Sequence, residues 1–107
     1  MTELIVEPAE FLKNWLNENQ KQLEQFELKP TLNEGGPIDN EKYSAHIDLD
    51  SETKIGRLVL WNTGDAFTEV FSLVGEEEPV FIDNRTLVSL EELDQLLDKF
   101  IHVLLKA

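Results

Sequence analysis

The sequence has no cysteine, and its 107 residues include only nine lysines and arginines, against 22 aspartates and glutamates. Without cysteine the chain forms no disulfide, holds no thiolate-ligated zinc and has no cysteine nucleophile. The formal net charge of −13 and the sequence pI of about 4.3 describe a molecule whose field repels phosphate groups. The composition therefore argues against nucleic acid and against anionic membrane surfaces as partners.

Long apolar runs are also missing from the chain. No stretch approaches the roughly 18 uninterrupted apolar residues of a membrane-spanning helix. The first seven residues lack the basic region and the apolar core of a signal peptide. We therefore expect a protein that is made and kept in the cytoplasm.

The apolar content is nevertheless sufficient for a folded core. Hydrophobic residues make up 41% of the chain and include six phenylalanines, two tryptophans and one tyrosine, which separates it from disordered sequences of similar charge. A chain of this length accommodates one core and leaves no room for a second. We predict a single domain over residues 1–107.

Two segments, one near each end of the chain, have the apolar spacing of an amphipathic helix. The first follows Pro8, a residue suited to the first helical position, and its apolar side chains recur at steps of three, four and seven residues. The second is rich in leucine and follows Ser89 and Glu92, which have the S-x-x-E spacing of a capping box. The sequence therefore predicts an N-terminal and a C-terminal helix.

Between these segments the apolar period changes to two, which is typical of β-strands. Pro30 lies inside the first alternating stretch, and a proline within a strand indicates an edge position. Because strands follow one another without intervening helices, we predict an α+β fold, with an antiparallel sheet of four to five strands between the two helices. The alternating stretches are 26–32, 43–50, 55–61, 67–74 and 80–83.

The hairpin formed by the third and fourth of these stretches has two substantially apolar faces. If the loop has three residues, at 63–65, Arg57 and Glu69 lie on the same face, among aromatic side chains, whereas a loop of two or four residues would separate them. Either the two helices cover opposite faces of the sheet, or they share one face and leave the other partly exposed as an interaction surface. Arg57 and Glu69 fit an interface of the second kind, and they equally fit an ion pair at the rim of an ordinary core. The face with Arg57 carries Ile55, Val59, Trp61, Phe67, Phe71 and Leu73, and the other carries Leu58, Leu60 and Val70.

Residues that would indicate catalysis are scarce. The chain contains no phosphate-binding glycine loop, no nucleophile elbow and no zinc-protease motif. His46 lies two residues from Ser44 and from Asp48, but a solvated polar strand face explains all three, and nothing supplies an oxyanion hole. We predict that the protein is not an enzyme and that it uses no metal and no cofactor, and a small enzyme built on His46 remains the weakest of three hypotheses.

The segment Ile55-Gly56-Arg57-Leu58-Val59-Leu60-Trp61-Asn62-Thr63-Gly64, followed by Glu69, resembles the TriTu-like family of bacterial immunity proteins. The similarity lies in a G-R-L-x-x-W-x-[ST]-G hairpin with a following glutamate, framed by an amphipathic helix and a leucine-rich helix. It covers most of the chain in outline and about fifteen residues in detail. The resemblance implies a non-catalytic cytoplasmic inhibitor that binds a toxin of the ADP-ribosyltransferase type, used in interbacterial competition. It maps onto Gly56, Arg57, Trp61, Gly64 and Glu69 without separating structural from contact roles.

The charge distribution agrees with that implication. Residues 31–86 contain twelve acidic and four basic side chains, so this segment carries a net charge of −8. We predict that the protein is a monomer or weak homodimer whose acidic surface binds and occludes a cognate toxin, and that this toxin has a basic face. The alternative is a general adaptor domain, homodimeric through an open sheet face, and charge that serves solubility alone also fits. The candidate partner-binding residues are Arg57, Trp61, Glu69, Asp48, Asp50, Glu52, Glu76, Glu77 and Glu78.

Overall fold

The order of elements along the chain is one helix, five strands and a second helix. The computed structural model describes residues 8–35, 44–73 and 80–105. This order confirms the α+β fold and the five-stranded form of the predicted sheet. Neither helix in these ranges is long and apolar enough to cross a membrane. The elements are α1 (Pro8–Gln25), β1 (Lys29–Gly35), β2 (Ser44–Asp50), β3 (Lys54–Trp61), β4 (Asp65–Ser72), β5 (Phe81–Thr86) and α2 (Leu90–Leu105).

The strands form one antiparallel sheet in which spatial order follows chain order, from β1 at one edge to β5 at the other. Pro30 lies in β1, an edge strand as predicted, where its missing N–H removes no bond from the sheet interior. The β3–β4 loop is Asn62 to Gly64, one residue earlier than predicted but of the predicted length. Because the loop has the predicted number of residues, the predicted sets of side chains share each face of the hairpin. Arg57 lies directly opposite Glu69.

The core lies on one face of the sheet. The buried side chains of both helices, including Leu12 of α1 and Phe100 of α2, belong to one cluster with the buried strand residues. Helix α1 packs against β1 and β2, and α2 packs against β3 and β4. Of the two arrangements compatible with the sequence, the helices therefore adopt the shared face. Its strand residues are Ala45, Ile47 and Leu49 in β2, Gly56, Leu58 and Leu60 in β3, and Ala66, Thr68 and Val70 in β4.

Helix α1 ends in a left-handed turn that delays the start of β1. Glu27 has a φ of 58°, and the N–H of Leu28 donates to the carbonyl of Leu23 over 3.0 Å, as in a Schellman motif. Phe26 thus belongs to the helix end and not to the strand, although the alternation in the sequence begins there. The first strand starts at Lys29.

Helix α2 begins with the predicted capping box. The hydroxyl oxygen of Ser89 accepts a hydrogen bond from the N–H of Glu92 over 3.2 Å. The Glu92 carboxylate in turn accepts from the N–H of Val88 over 2.8 Å, one residue before the cap. Two backbone donors that lack helical partners are satisfied in this way.

Two glycines of the central hairpin have distinct backbone roles. Gly64 has a φ of 95°, which the hairpin turn requires and which residues with a side chain rarely adopt. Gly56 faces α2, and a Cβ atom at this position would lie 2.6 Å from Cε1 of Phe100 and 2.9 Å from Cδ2 of Leu104. The absence of a side chain at Gly56 therefore lets α2 rest directly on β3.

Candidate functional site

The face of the sheet opposite the helices is uncovered among the described residues, and we call it the open face. It consists of the strand residues that alternate with the buried ones, and none of them falls in the buried class. Strand pairing aligns these residues in rows that run across the sheet from β1 to β5. The open face comprises Lys29, Thr31 and Asn33 of β1, Ser44, His46, Asp48 and Asp50 of β2, Ile55, Arg57, Val59 and Trp61 of β3, Asp65, Phe67, Glu69 and Phe71 of β4, and Ile82, Asn84 and Thr86 of β5.

Apolar side chains occupy much of the open face. Ile55 is 42% exposed and Ile82 is 56% exposed, while Trp61, Phe67 and Phe71 are half-buried among their neighbours. Monomeric proteins keep contiguous exposed apolar surface small, and larger patches with polar borders are typical of interaction sites. A sheet face that carries three aromatic side chains in this way is suited to binding another protein.

Arg57 is held at the middle of the open face by Asp48 of the neighbouring strand. Its Nε donates to Oδ1 of Asp48 over 2.7 Å, and Nη2 donates to Oδ2 over 3.2 Å, so the two planar groups meet in parallel. The hydrogen bond to Asp48 raises the pKa of Arg57, and the nearby charge of Glu69 adds to the effect. The sequence pattern paired Arg57 with Glu69, and the structure adds Asp48 as the hydrogen-bonded partner.

This ion pair borders a shallow depression of about 270 Å³. Ile55 and Phe71 supply apolar walls, and Asp48, Asp50 and Glu69 place three carboxylates around the single guanidinium of Arg57. Arg57 is 48% exposed along its side chain, so it remains available to a partner while its orientation is set. The depression combines an oriented cation, aromatic surface and excess acid.

Glu52 lies in a turn, whereas the other predicted site residues that the structure describes lie on strands. It is exposed in the turn between β2 and β3, at the end of the sheet where Asp50 and Ile55 also lie. Ser51 organises this turn, because its hydroxyl accepts a hydrogen bond from the N–H of Lys54 over 2.9 Å. The charged run at 76–78 lies outside the described residues.

The structure therefore brings five of the nine predicted residues onto one face. Ile82 was missed as a site residue although it lies in the predicted stretch 80–83; the strand extends to Thr86, and β5 pairs with residues 65–70 of β4. The alternation of Phe81 and Ile82 carried a signal for it, since Phe81 packs on the core and Ile82 must then point to the opposite side. The five residues on the open face are Asp48, Asp50, Arg57, Trp61 and Glu69.

The exposed apolar and charged side chains of this face are suited to recognition. His46 is half-buried beside Val59 in the register, and within the described ranges no three or more histidine and carboxylate side chains are grouped to hold a metal ion. Gly56 and Gly64, which belong to the hairpin motif, serve helix packing and the turn. Arg57, Trp61 and Glu69 of the same motif face outward from the core.

A protein-family model matches most of the chain. Residues 10–103 match the family described as "Immunity protein TriTu". No curated protein and no solved structure matches this chain.

Proposed function

This chain belongs to the TriTu family of immunity proteins, and we propose that it protects its host by binding a cognate interbacterial toxin and occluding it. The observation that carries the proposal is the open face itself. Both helices lie on the other side of the sheet, so an apolar and acidic sheet surface that no other described element covers can receive a partner. Blocking a toxin in this manner requires no catalytic group on the inhibitor.

The open face supports tight binding through side chains of the kind that dominate interfaces. Aromatic residues and arginine contribute most of the binding energy at typical hot spots, and here Trp61, Phe67 and Phe71 share the open face with Arg57. The bidentate contact with Asp48 fixes the guanidinium before binding, so less side-chain entropy is lost on association. We assign Arg57 and the three aromatic residues to the centre of the interface.

The net charge of −13 supports rapid association with a basic partner. Complementary fields raise association rates toward about 10⁸ M⁻¹s⁻¹ at low ionic strength. We propose an ADP-ribosyltransferase-type effector as the toxin, on the strength of the resemblance in the hairpin. Such an enzyme admits a dinucleotide with phosphate groups, and a cleft for phosphates is expected to be basic.

Growth of cells that express the toxin encoded beside this gene tests the proposal. We expect co-expression of this chain to restore growth and the two purified proteins to form a complex. A toxin that still kills in the presence of the folded chain would refute the immunity role.

Two matched pairs of variants test the open face as the interface. Ile82→Glu and Val88→Glu each add one charge at an exposed apolar residue, but Val88 lies between β5 and α2 and not on the open face. Arg57→Gln and Lys13→Gln each remove one positive charge, and Lys13 is exposed on α1. We expect Ile82→Glu and Arg57→Gln to weaken toxin binding at least about tenfold, and the two controls to leave it nearly unchanged. Equal effects within each pair would refute this assignment.

The same exposed apolar surface also favours a second candidate, an adaptor domain that forms homodimers through the open face. Light scattering coupled to size exclusion distinguishes the two. A dimer that Trp61→Asp converts to a monomer would favour the adaptor, whereas a monomer that binds the toxin one to one would favour the inhibitor. Mutual repulsion between two copies of net charge −13 makes the second result the expected one.

A further inference from the structure

A groove of about 720 Å³ lies at the end of the sheet, between the C-terminal end of α1 and the turn that joins β2 to β3. Apolar side chains line much of it, namely Leu28, Ile55 and Leu73. Ile55 and Leu73 are 42% and 53% exposed, so this lining is open to a partner. The groove is continuous with the open face, because Ile55 and Asp50 also border the depression beside Arg57.

The border of the groove is strongly acidic. Glu24 and Glu27 approach it from the helix side, and Asp50 and Glu52 approach it from the sheet and the turn. Of the described residues that line it, Lys29 alone is cationic. The last turn of α1, which ends here, contains no basic residue, so the partial negative charge of the helix terminus adds to that of the carboxylates.

One acceptor at the groove has no partner among the described residues. Oδ1 of Asp50 is buried and receives no hydrogen bond there. A buried carboxylate oxygen without a donor is unfavourable, and a rotation of the Asp50 side chain toward a donor of a binding partner would remove that penalty. Asp50 as a residue is half-buried and lines both the groove and the depression beside Arg57, so it lies at the junction of the groove and the open face.

We infer that this groove receives an arginine side chain of the bound toxin, an inference that rests on the proposed function. The methylene groups of arginine would pack along Leu28, Ile55 and Leu73, and the guanidinium would donate to Asp50 and to a second carboxylate of the border. Arginine fits this site better than lysine, because its planar group presents five donors and is more weakly hydrated than an ammonium group. The groove thus adds a charged anchor beside the apolar centre of the interface.

Titration of the isolated full chain, followed by amide chemical shifts, tests the groove without the toxin. The probe is N-acetyl-L-arginine amide, and the matched control is the neutral citrulline analogue at the same ionic strength. We expect saturable shifts at Ser51, Glu52 and Ile55 with the arginine probe alone, and their loss in Asp50→Asn. Equal shifts with both probes, or none with the arginine probe, would overturn the assignment.

Affinity for the toxin encoded by the neighbouring gene provides the second test. Asp50→Asn and Glu52→Gln remove one charge each from the groove, while Asp98→Asn and Glu18→Gln remove one charge each from exposed helix residues. We expect about tenfold weaker binding for the first two and less than about twofold for the controls. If the wild-type chain binds and rescues growth but all four variants bind alike, the groove inference is wrong while the proposed function stands. A wild-type chain that fails to bind the toxin refutes the proposed function instead.

Discussion

Replacement of Gly56 by alanine tests whether the contact between α2 and β3 depends on a bare backbone. The added Cβ would lie 2.6 Å from Cε1 and 3.0 Å from Cζ of Phe100, and 2.9 Å from Cδ2 of Leu104. Carbon atoms in contact prefer about 3.5 to 4.0 Å, so the ring must move by roughly 1 Å. Phe100 is fully buried in the core, and the dense packing of protein interiors resists such a movement.

The magnitude follows from two opposing effects. Overpacking of a well-filled core typically costs about 1 to 3 kcal/mol, whereas alanine in place of glycine within a strand is favourable by about 0.5 to 1 kcal/mol. The backbone itself accepts alanine, because the φ of Gly56 is not positive. We expect the free energy of unfolding to fall by about 1 to 2 kcal/mol in Gly56→Ala.

Urea unfolding, followed by the fluorescence of Trp15 and Trp61, measures this change. With a denaturant dependence of about 2 kcal/mol per M, the midpoint should fall by roughly 0.5 to 1 M. Phe100→Leu in the same background makes room for the new methyl group, so the double variant should lose less stability than the sum of the two single losses. An unchanged or higher midpoint for Gly56→Ala would refute the close-approach explanation. A double variant whose loss of stability equals the sum of the two single losses would refute it as well.

Three further substitutions have effects of predictable sign. Glu27→Gly should raise the free energy of unfolding by about 0.5 to 1 kcal/mol, because glycine adopts a φ of 58° without strain, and Glu27→Ala, measured in parallel by urea unfolding, should show no such gain. Thr68→Val should raise it by about 1 kcal/mol, because the buried Oγ1 has no partner among the described residues; a clear loss in the same assay would contradict this reasoning. The hydrogen bond from Arg85 lowers the pKa of Asp83, so the pair stabilises the fold above the unfolded pKa of about 3.9 and loses that contribution as the pH falls through the folded value. Urea midpoints of Asp83→Asn and the wild type should therefore converge below about pH 4, and a constant difference down to pH 2 would disprove the linkage.

The secondary structure was largely predictable because its signals are local. Pro8 and Ser89 both stand where helices begin, and the change from a helical period to a period of two separates the helices from the strands. The errors occurred at element ends, where local patterns overlap. The left-handed turn at Glu27 keeps Phe26 at the helix end, so β1 starts only at Lys29 although the apolar alternation begins at Phe26, and the polar sequence after Asp83 concealed the second half of an edge strand.

The candidate site was predictable in part for the same reason. The three-residue loop sets which residues of the two strands share a face. Alternation along the hairpin therefore predicted that Arg57 lies on one face with Glu69 and with the aromatic side chains. The hydrogen bond between Arg57 and Asp48 joins β3 to β2, and the alternation within the β3–β4 hairpin gives no information about this pairing. The groove at the end of α1 depends on how a helix and a distant turn approach each other, and no local pattern contains that information.

The sequence by itself determined the strand faces, the acidic charge and the hairpin motif, because periodicity, composition and loop length are local properties of the chain. Only the tertiary structure decided that both helices pack on the same face. Either face of the hairpin is apolar enough to be buried, so local hydrophobicity leaves the two arrangements unresolved. The contact of Phe100 and Leu104 with Gly56 places α2 on the face that contains Gly56. Leu12 belongs to the same buried cluster, which places α1 on that face too. With both helices on that side, Arg57 and Trp61 remain at the surface of this member of an immunity-protein family.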